Sequence, residues 1–172
     1  MDRNSEEKFK VPKSFQGQSN FSNRILKDLK DTIAFGEHLI QEIPNLKLLL
    51  LQGELGAGKT SLVKGIAKGI GIKEPITSPT FALSQYYPTG NRPLVHIDLY
   101  RLDNCGIANE LFLQEEEEIT ALQGLMVVEW PERLTLKLPD AWVAQLKYTN
   151  NGERFIQLFQ PSTEERKDLT SS

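Results

Sequence analysis

The sequence is poor in the features that mark several classes of protein. A single cysteine, Cys105, excludes an intramolecular disulfide, and no Cys or His pair lies near it to complete a thiolate metal site. The two histidines, His38 and His96, stand apart without metal-ligand spacing, and neither is assigned to catalysis. No apolar stretch reaches transmembrane length and no apolar signal segment opens the chain, so a cytoplasmic protein without membrane contact is expected. Nor is positive charge in excess. Lys and Arg number 20 against 23 Asp and Glu, a net charge of −3. That balance gives no general attraction for nucleic acid, so any RNA contact must be local or supplied by a partner. No internal repeat is present.

What remains suits one compact domain. The chain has 172 residues, of which 39% are hydrophobic and 25% charged, enough for a core of ordinary size. Its most informative stretch runs from Leu48 to Gly71. Leu48, Leu49, Leu50 and Leu51 form an apolar run that leads into a glycine-rich turn, and Leu62, Val63, Ile66, Ala67 and Ile70 then recur helically until Gly71. Between strand and helix lies Gly53-Glu54-Leu55-Gly56-Ala57-Gly58-Lys59-Thr60, a complete match to the G-x-x-x-x-G-K-[ST] phosphate-binding loop. Glycines at 53, 56 and 58 allow positive φ and a close approach of backbone to ligand. The turn aims successive N–H groups inward, and the start of the helix adds its dipole. Lys59 is placed to reach β- and γ-phosphates, and the Thr60 hydroxyl to ligate Mg²⁺.

In chain order, Met1 to about Asn23 is polar and aperiodic and reads as a mobile arm (residues 1–23) before a single domain over 24–160. From Arg24 to Ile43 apolar residues recur helically (Ile25, Leu29, Ile33, Leu39, Ile40, Ile43). Asp31 or Thr32 is the expected cap, and Pro44 the stop. Leu46 to Gln52, without polar alternation, reads as a strand buried on both faces. Lys73 to Ser84, with Pro75 and Pro79 among Thr77, Ser78 and Thr80, reads as a constrained loop. Strands are expected over 82–87 and 94–100, a helix over 104–122 and a further strand over 125–131. The acidic run Glu115 to Glu118 reads as a solvated helix face. Strands at 141–148 and 154–159 are joined by Asn150-Asn151-Gly152, which is hairpin chemistry. Residues 161–172 form a polar tail. The expected fold is α/β: a three-layer domain of the P-loop NTPase type, with a mostly parallel central sheet and a C-terminal antiparallel hairpin.

Ligands of open α/β sheets sit at the carboxyl ends of the strands. Asp98 and Glu129 each end an apolar run and so fall on the edge that carries the phosphate loop. Phosphoryl transfer needs such carboxylates, one toward magnesium and one toward the attacking water. Spacing alone does not divide the two roles.

GELGAGKT followed by TSPTF, HIDLYRL and VEWPERL, in that order, resembles the bacterial TsaE (YjeE) family over about Asp31 to Phe159. The resemblance implies a P-loop ATPase needed to form N6-threonylcarbamoyladenosine at position 37 of tRNAs, with ATP and Mg²⁺ as cofactors. It implies a nucleotide-driven accessory subunit that acts on TsaD and TsaB and meets tRNA only through that complex. By the same resemblance, residues Gly53 to Thr60 together with Ser61 hold the nucleotide. Lys59, Asp98 and Glu129 serve hydrolysis, and Thr60 and Glu129 ligate the metal. Thr32 and Arg154 contact the nucleotide, and Thr80 sits in a nucleotide-sensing loop. Arg101 and Trp130 adjoin the two acids, either to carry a change to a partner or to pack internally. No arginine finger is identifiable, which implies slow hydrolysis alone and stimulation by partners. Two other readings stay open at this level: a P-loop small-molecule kinase, and a scaffold whose nucleotide orders an interface without being hydrolysed.

Overall fold

The computed structural model describes residues 19–161. Among them the elements run β1 (Ser19–Leu26), α1 (Leu29–Glu42), β2 (Leu48–Gly53), α2 (Lys59–Gly69), β3 (Ser84–Tyr87), β4 (Leu94–Asp98), α3 (Cys105–Ala121), β5 (Leu125–Glu129), a 3-10 turn at Pro131–Arg133, β6 (Trp142–Tyr148) and β7 (Arg154–Gln160). The strands form one sheet in the order β1-β7-β6-β2-β5-β4-β3. Its four central members, β6, β2, β5 and β4, are parallel. The expected hairpin is β6–β7, and antiparallel strands finish both edges, β1 beyond β7 and β3 beyond β4.

Period-two alternation divides the core into two layers. Leu49 and Leu51 of β2 point with Leu125 and Val127 of β5 toward Leu39 of α1 and Leu62, Val63 and Ile66 of α2. Leu50, Met126 and Val128 point the other way, onto Ala108, Phe112 and Ile119 of α3. β2 is thus covered on both faces, as its unbroken leucine run implies. The acidic run Glu115–Glu118 lies on the partly or fully exposed side of α3, and among the described residues no three or more His, Cys, Asp or Glu side chains are grouped to hold a metal by themselves.

The N-terminal region departs from expectation. Residues 19–23, read as part of a mobile arm, belong to β1, which pairs from Ser19↔Gln160 to Leu26↔Arg154. Residues 1–18 and 162–172, the rest of the arm and the polar tail, lie outside the described residues. The helical periodicity read from Arg24 is therefore wrong over its first turn: Ile25 is 61% exposed, whereas Leu26 is buried. The cap also moves. Asp28, not Asp31 or Thr32, accepts from the Asp31 amide, while the Asp31 carboxylate accepts from the Lys27 amide. β1 exists because β7 offers it a free edge, a long-range fact that local periodicity does not carry.

α1 and α2 pack backbone to backbone. A Cβ on Gly65 would lie 2.0 Å from the Ile33 carbonyl oxygen, and one on Gly36 would lie 2.5 Å from that of Leu62. This contact seats α2, and with it the phosphate loop, against α1. Gly65→Ala should therefore destabilise the fold by about 3 kcal/mol through overpacking, read as a lower urea midpoint. An unchanged midpoint would show that the helices have room to separate.

Candidate functional site

The site grows from the point where β2 leaves the sheet between β5 and β6. Gly53, Gly56 and Gly58 have φ of 150°, 81° and 106°, the left-handed region that the motif predicts for them. Gly53 has no room for a side chain, since a Cβ there would sit 2.6 Å from the Leu146 carbonyl oxygen. Gly58 opens α2, and no side chain caps that helix. Its first-turn N–H groups, which have no intrahelical acceptor, are left to an anion.

Lys59 is buried. Its Nζ donates to the Gly53 and Glu54 carbonyls at 2.7 and 2.9 Å and lies 4.1 Å from the centre of the Trp130 ring. Burial holds the Lys59 pKa below the ordinary 10.5, partly offset by Glu129, Glu132 and Asp98. Trp130 itself sits at φ 61°, an uncommon conformation for a bulky residue. Its ring also packs against Tyr100, with centroids 4.9 Å apart.

Next along the helix, the Thr60 hydroxyl donates to Glu129 Oε1 at 2.8 Å. Glu129 ends β5, and register places it opposite Asp98 at the end of the adjacent parallel strand. The two acids therefore share one edge, but they make different contacts. Asp98 Oδ2 accepts from Ser78 at 2.7 Å and from Thr80 at 2.8 Å, and Oδ1 accepts from the Tyr100 amide at 3.0 Å. Asp98 thus clamps the loop that leads into β3. That loop also holds Leu83 at φ 66°, with its amide bonded to the Pro79 carbonyl.

A cleft of about 550 Å³ is lined by Leu55, Gly56, Gly58, Lys59, Thr60 and Ser61 of the loop and first helical turn, together with Ser78, Thr80, Asp98, Tyr100, Glu129, Trp130, Leu29, Tyr148 and Arg154. Most residues singled out in the sequence therefore meet in one place. Gly53, Glu54 and Ala57 shape the loop from behind. Arg154 reaches it from β7, with its Nε 3.2 Å from where a Gly58 Cβ would stand and its guanidinium over the Tyr148 ring. The Tyr148 hydroxyl donates to the Gly56 carbonyl. Thr32 is buried, packs its methyl against Gly58 and spends its hydroxyl on the Asp28 carbonyl, so it supports the loop without lining the cleft. Arg101 stacks on the exposed Phe81 ring. Tyr148 and His96 were missed in the sequence. His96 carried a readable signal, because it lies two residues before Asp98 in a strand and so shares its face.

The donor set suits a metal-bound polyphosphate. An uncapped helix start and a lysine would meet the phosphate oxygens, and a hydroxyl bonded to a carboxylate would meet a hard divalent cation.

Residues 26–156 match the model of the family described as "Threonylcarbamoyl adenosine biosynthesis protein TsaE". The chain is similar to the tRNA threonylcarbamoyladenosine biosynthesis protein TsaE of a Synechocystis species, at 46% identity over 63% of this chain and 69% of that protein. It is similar to its namesake from a Nostoc species at 39% identity over 77% and 82% of the two chains. Among solved structures it is similar to Bacillus subtilis YdiB, with a TM-score of 0.64 and 25% identity, covering 88% of this chain and 92% of that one.

The Asp98 clamp is testable without any ligand. Asp98→Ala removes the shared acceptor of Ser78 and Thr80, so the amides of Ser78 and of residues 80–83 should exchange with deuterium about tenfold faster, while those of β5 stay protected. Unchanged protection would mean that the two prolines and local turns hold the loop unaided.

Proposed function

The chain belongs to the TsaE family, and from that premise we propose that it is a Mg²⁺-dependent ATP-binding and hydrolysing accessory subunit of tRNA modification. In this reading it serves formation of N6-threonylcarbamoyladenosine at position 37 of tRNAs, as a nucleotide-driven switch on the TsaD–TsaB complex. The observation that carries the proposal is the Thr60–Glu129 hydrogen bond at the uncapped start of α2. It joins a phosphate-binding helix to a strand-end carboxylate, the pairing a metal–nucleotide site requires.

Each side chain has a role that follows from its place. The loop amides and Lys59 bind phosphate oxygens, which would compete with the Gly53 and Glu54 carbonyls for the ammonium group. Thr60 and Glu129 would hold Mg²⁺, whose part is to neutralise charge on the phosphates. Asp98 orients the Ser78–Thr80 loop, and through those hydroxyls the loop is within reach of whatever fills the cleft. Switching then consists of a change in the hydrogen bonds of that loop. Phe81, 85% exposed beside Arg101, would offer this change to a partner. Arg154 and Tyr148 would steady the nucleotide from the β6–β7 side.

Calorimetry should find ATP affinity reduced at least about 100-fold in Lys59→Ala, given the loss of a buried charge–phosphate contact. Glu129→Ala should keep Mg-free binding but lose hydrolysis, and neither variant should restore the modified adenosine to tRNA in cells lacking the native protein, measured by mass spectrometry of tRNA digests. Restoration by both variants would refute the role. pH gives a second check. Lys59 loses its proton below 10.5, so ATP affinity should be level under that lowered pKa and fall as pH rises through it. Lys59→Arg, which stays charged, should remove that alkaline fall; its persistence would assign the fall to another group.

A further inference from the structure

His96 is completely buried in β4, a strand whose other members are Leu94, Val95, Ile97 and Asp98. On the same face it is flanked by the apolar Leu94 and the cross-strand Val127, both fully buried, and by Asp98, whose carboxylate is taken up by Ser78, Thr80 and the Tyr100 amide. Only one ring nitrogen has a partner: Nε2 lies 2.9 Å from Glu129 Oε1, whereas Nδ1 is buried without a hydrogen bond. That asymmetry places a hydrogen on Nε2, which donates to the carboxylate. An imidazole with an orphan nitrogen is a poor core residue, since an apolar side chain of that size would avoid the desolvation cost. A half-partnered imidazole in a buried strand is a local rule broken, and such breaks are expected where a site is built.

We infer that His96 is the positioning residue of the Glu129 carboxylate. Oε1 accepts from two donors on different elements, the Thr60 hydroxyl of α2 and the His96 ring of β4. Two donors at one oxygen fix the plane of the carboxylate, which a single rotatable hydroxyl does not. The remaining oxygen is thereby presented in one orientation to a cation. Outer partners of this type change metal affinity by 10- to 100-fold in characterised sites. This inference rests on reading Glu129 as a metal-holding carboxylate.

The test compares ATP affinity of the full chain in Mg²⁺ and in EDTA, by calorimetry, for the native protein, Glu129→Ala, His96→Leu, His96→Gln and His96→Asn. The quantity read is the gain in affinity that the metal confers. His96→Leu should lower that gain about tenfold or more while leaving the EDTA affinity within about twofold. His96→Gln, whose amide nitrogen reaches the place of Nε2, should restore most of it, and His96→Asn, whose amide stops at the place of Nδ1, should not. Thermal melting of each variant checks the fold, and should His96→Leu fail to fold, the Gln and Asn pair decides alone. A native gain in His96→Leu, an equal loss in Mg²⁺ and EDTA, or no difference between Gln and Asn overturns the positioning role. If Glu129→Ala keeps the native gain, the metal reading of Glu129 fails and this inference falls with it. If Glu129→Ala loses the gain and His96→Leu does not, only the role of His96 falls.

Discussion

One carboxylate oxygen joins the elements on which the site depends. Glu129 Oε1, at the end of β5, accepts from Thr60 in the first turn of α2 and from His96 inside β4. Each bond is worth on the order of 1.5–3 kcal/mol because the acceptor is a carboxylate; the His96 bond is buried, and the Thr60 bond is part-buried at the cleft wall. Removing the His96 donor would leave the oxygen under-satisfied on its buried side, so the two contacts support one another. The phosphate loop is thereby tied to the sheet at the helix that follows it, as well as through the strand that precedes it.

The second acid works differently although it occupies the matching place on the next strand. Asp98 faces a loop instead of a helix, and its oxygens are taken by Ser78, Thr80 and the Tyr100 amide. One strand end thus serves the phosphate loop and its neighbour serves the loop before β3. Register sets them side by side, as Asp98↔Glu129. Lys59 lies close enough to feel both charges. Charge brought to Lys59 and Thr60 therefore acts on the field around Asp98 without requiring any movement of the sheet, which is packed on both faces.

Rigid packing behind the site makes this arrangement possible. The α1–α2 crossing at Gly36 and Gly65 brings the helices within backbone contact, and Thr32 of α1 touches the loop glycine at 58. β7 supplies Arg154 from the opposite side, and β1 covers the otherwise open edge of β7. Of the three non-glycine residues with positive φ, Trp130 lines the cleft, Leu83 lies in the loop that Asp98 clamps and Gln123 follows α3.

Local chemistry was readable without coordinates. The eight residues from Gly53 to Thr60 state their own geometry, because glycine spacing, a strand before and a helix after are all short-range properties. The leucine run of β2 likewise announced two-sided burial, and Asn150-Asn151-Gly152 its hairpin. Other features depended on contacts between distant segments. β1 pairs with the otherwise unpaired edge of β7, a partner more than a hundred residues away in the chain. His96 looked like an isolated histidine until strand register set it against Glu129, 33 residues away in sequence. Asp98 could be placed at the right edge but not given its partners, since Ser78 and Thr80 reach it only through the path of a loop. Sequence determines what can be decided by neighbours along the chain, namely periodicity, turn chemistry and the phosphate loop. The tertiary structure alone decides which of two adjacent acids meets the helix and which meets the loop, because hydrogen bonds are directional and act over about 3 Å, and residues far apart in the chain come that close only once it has folded.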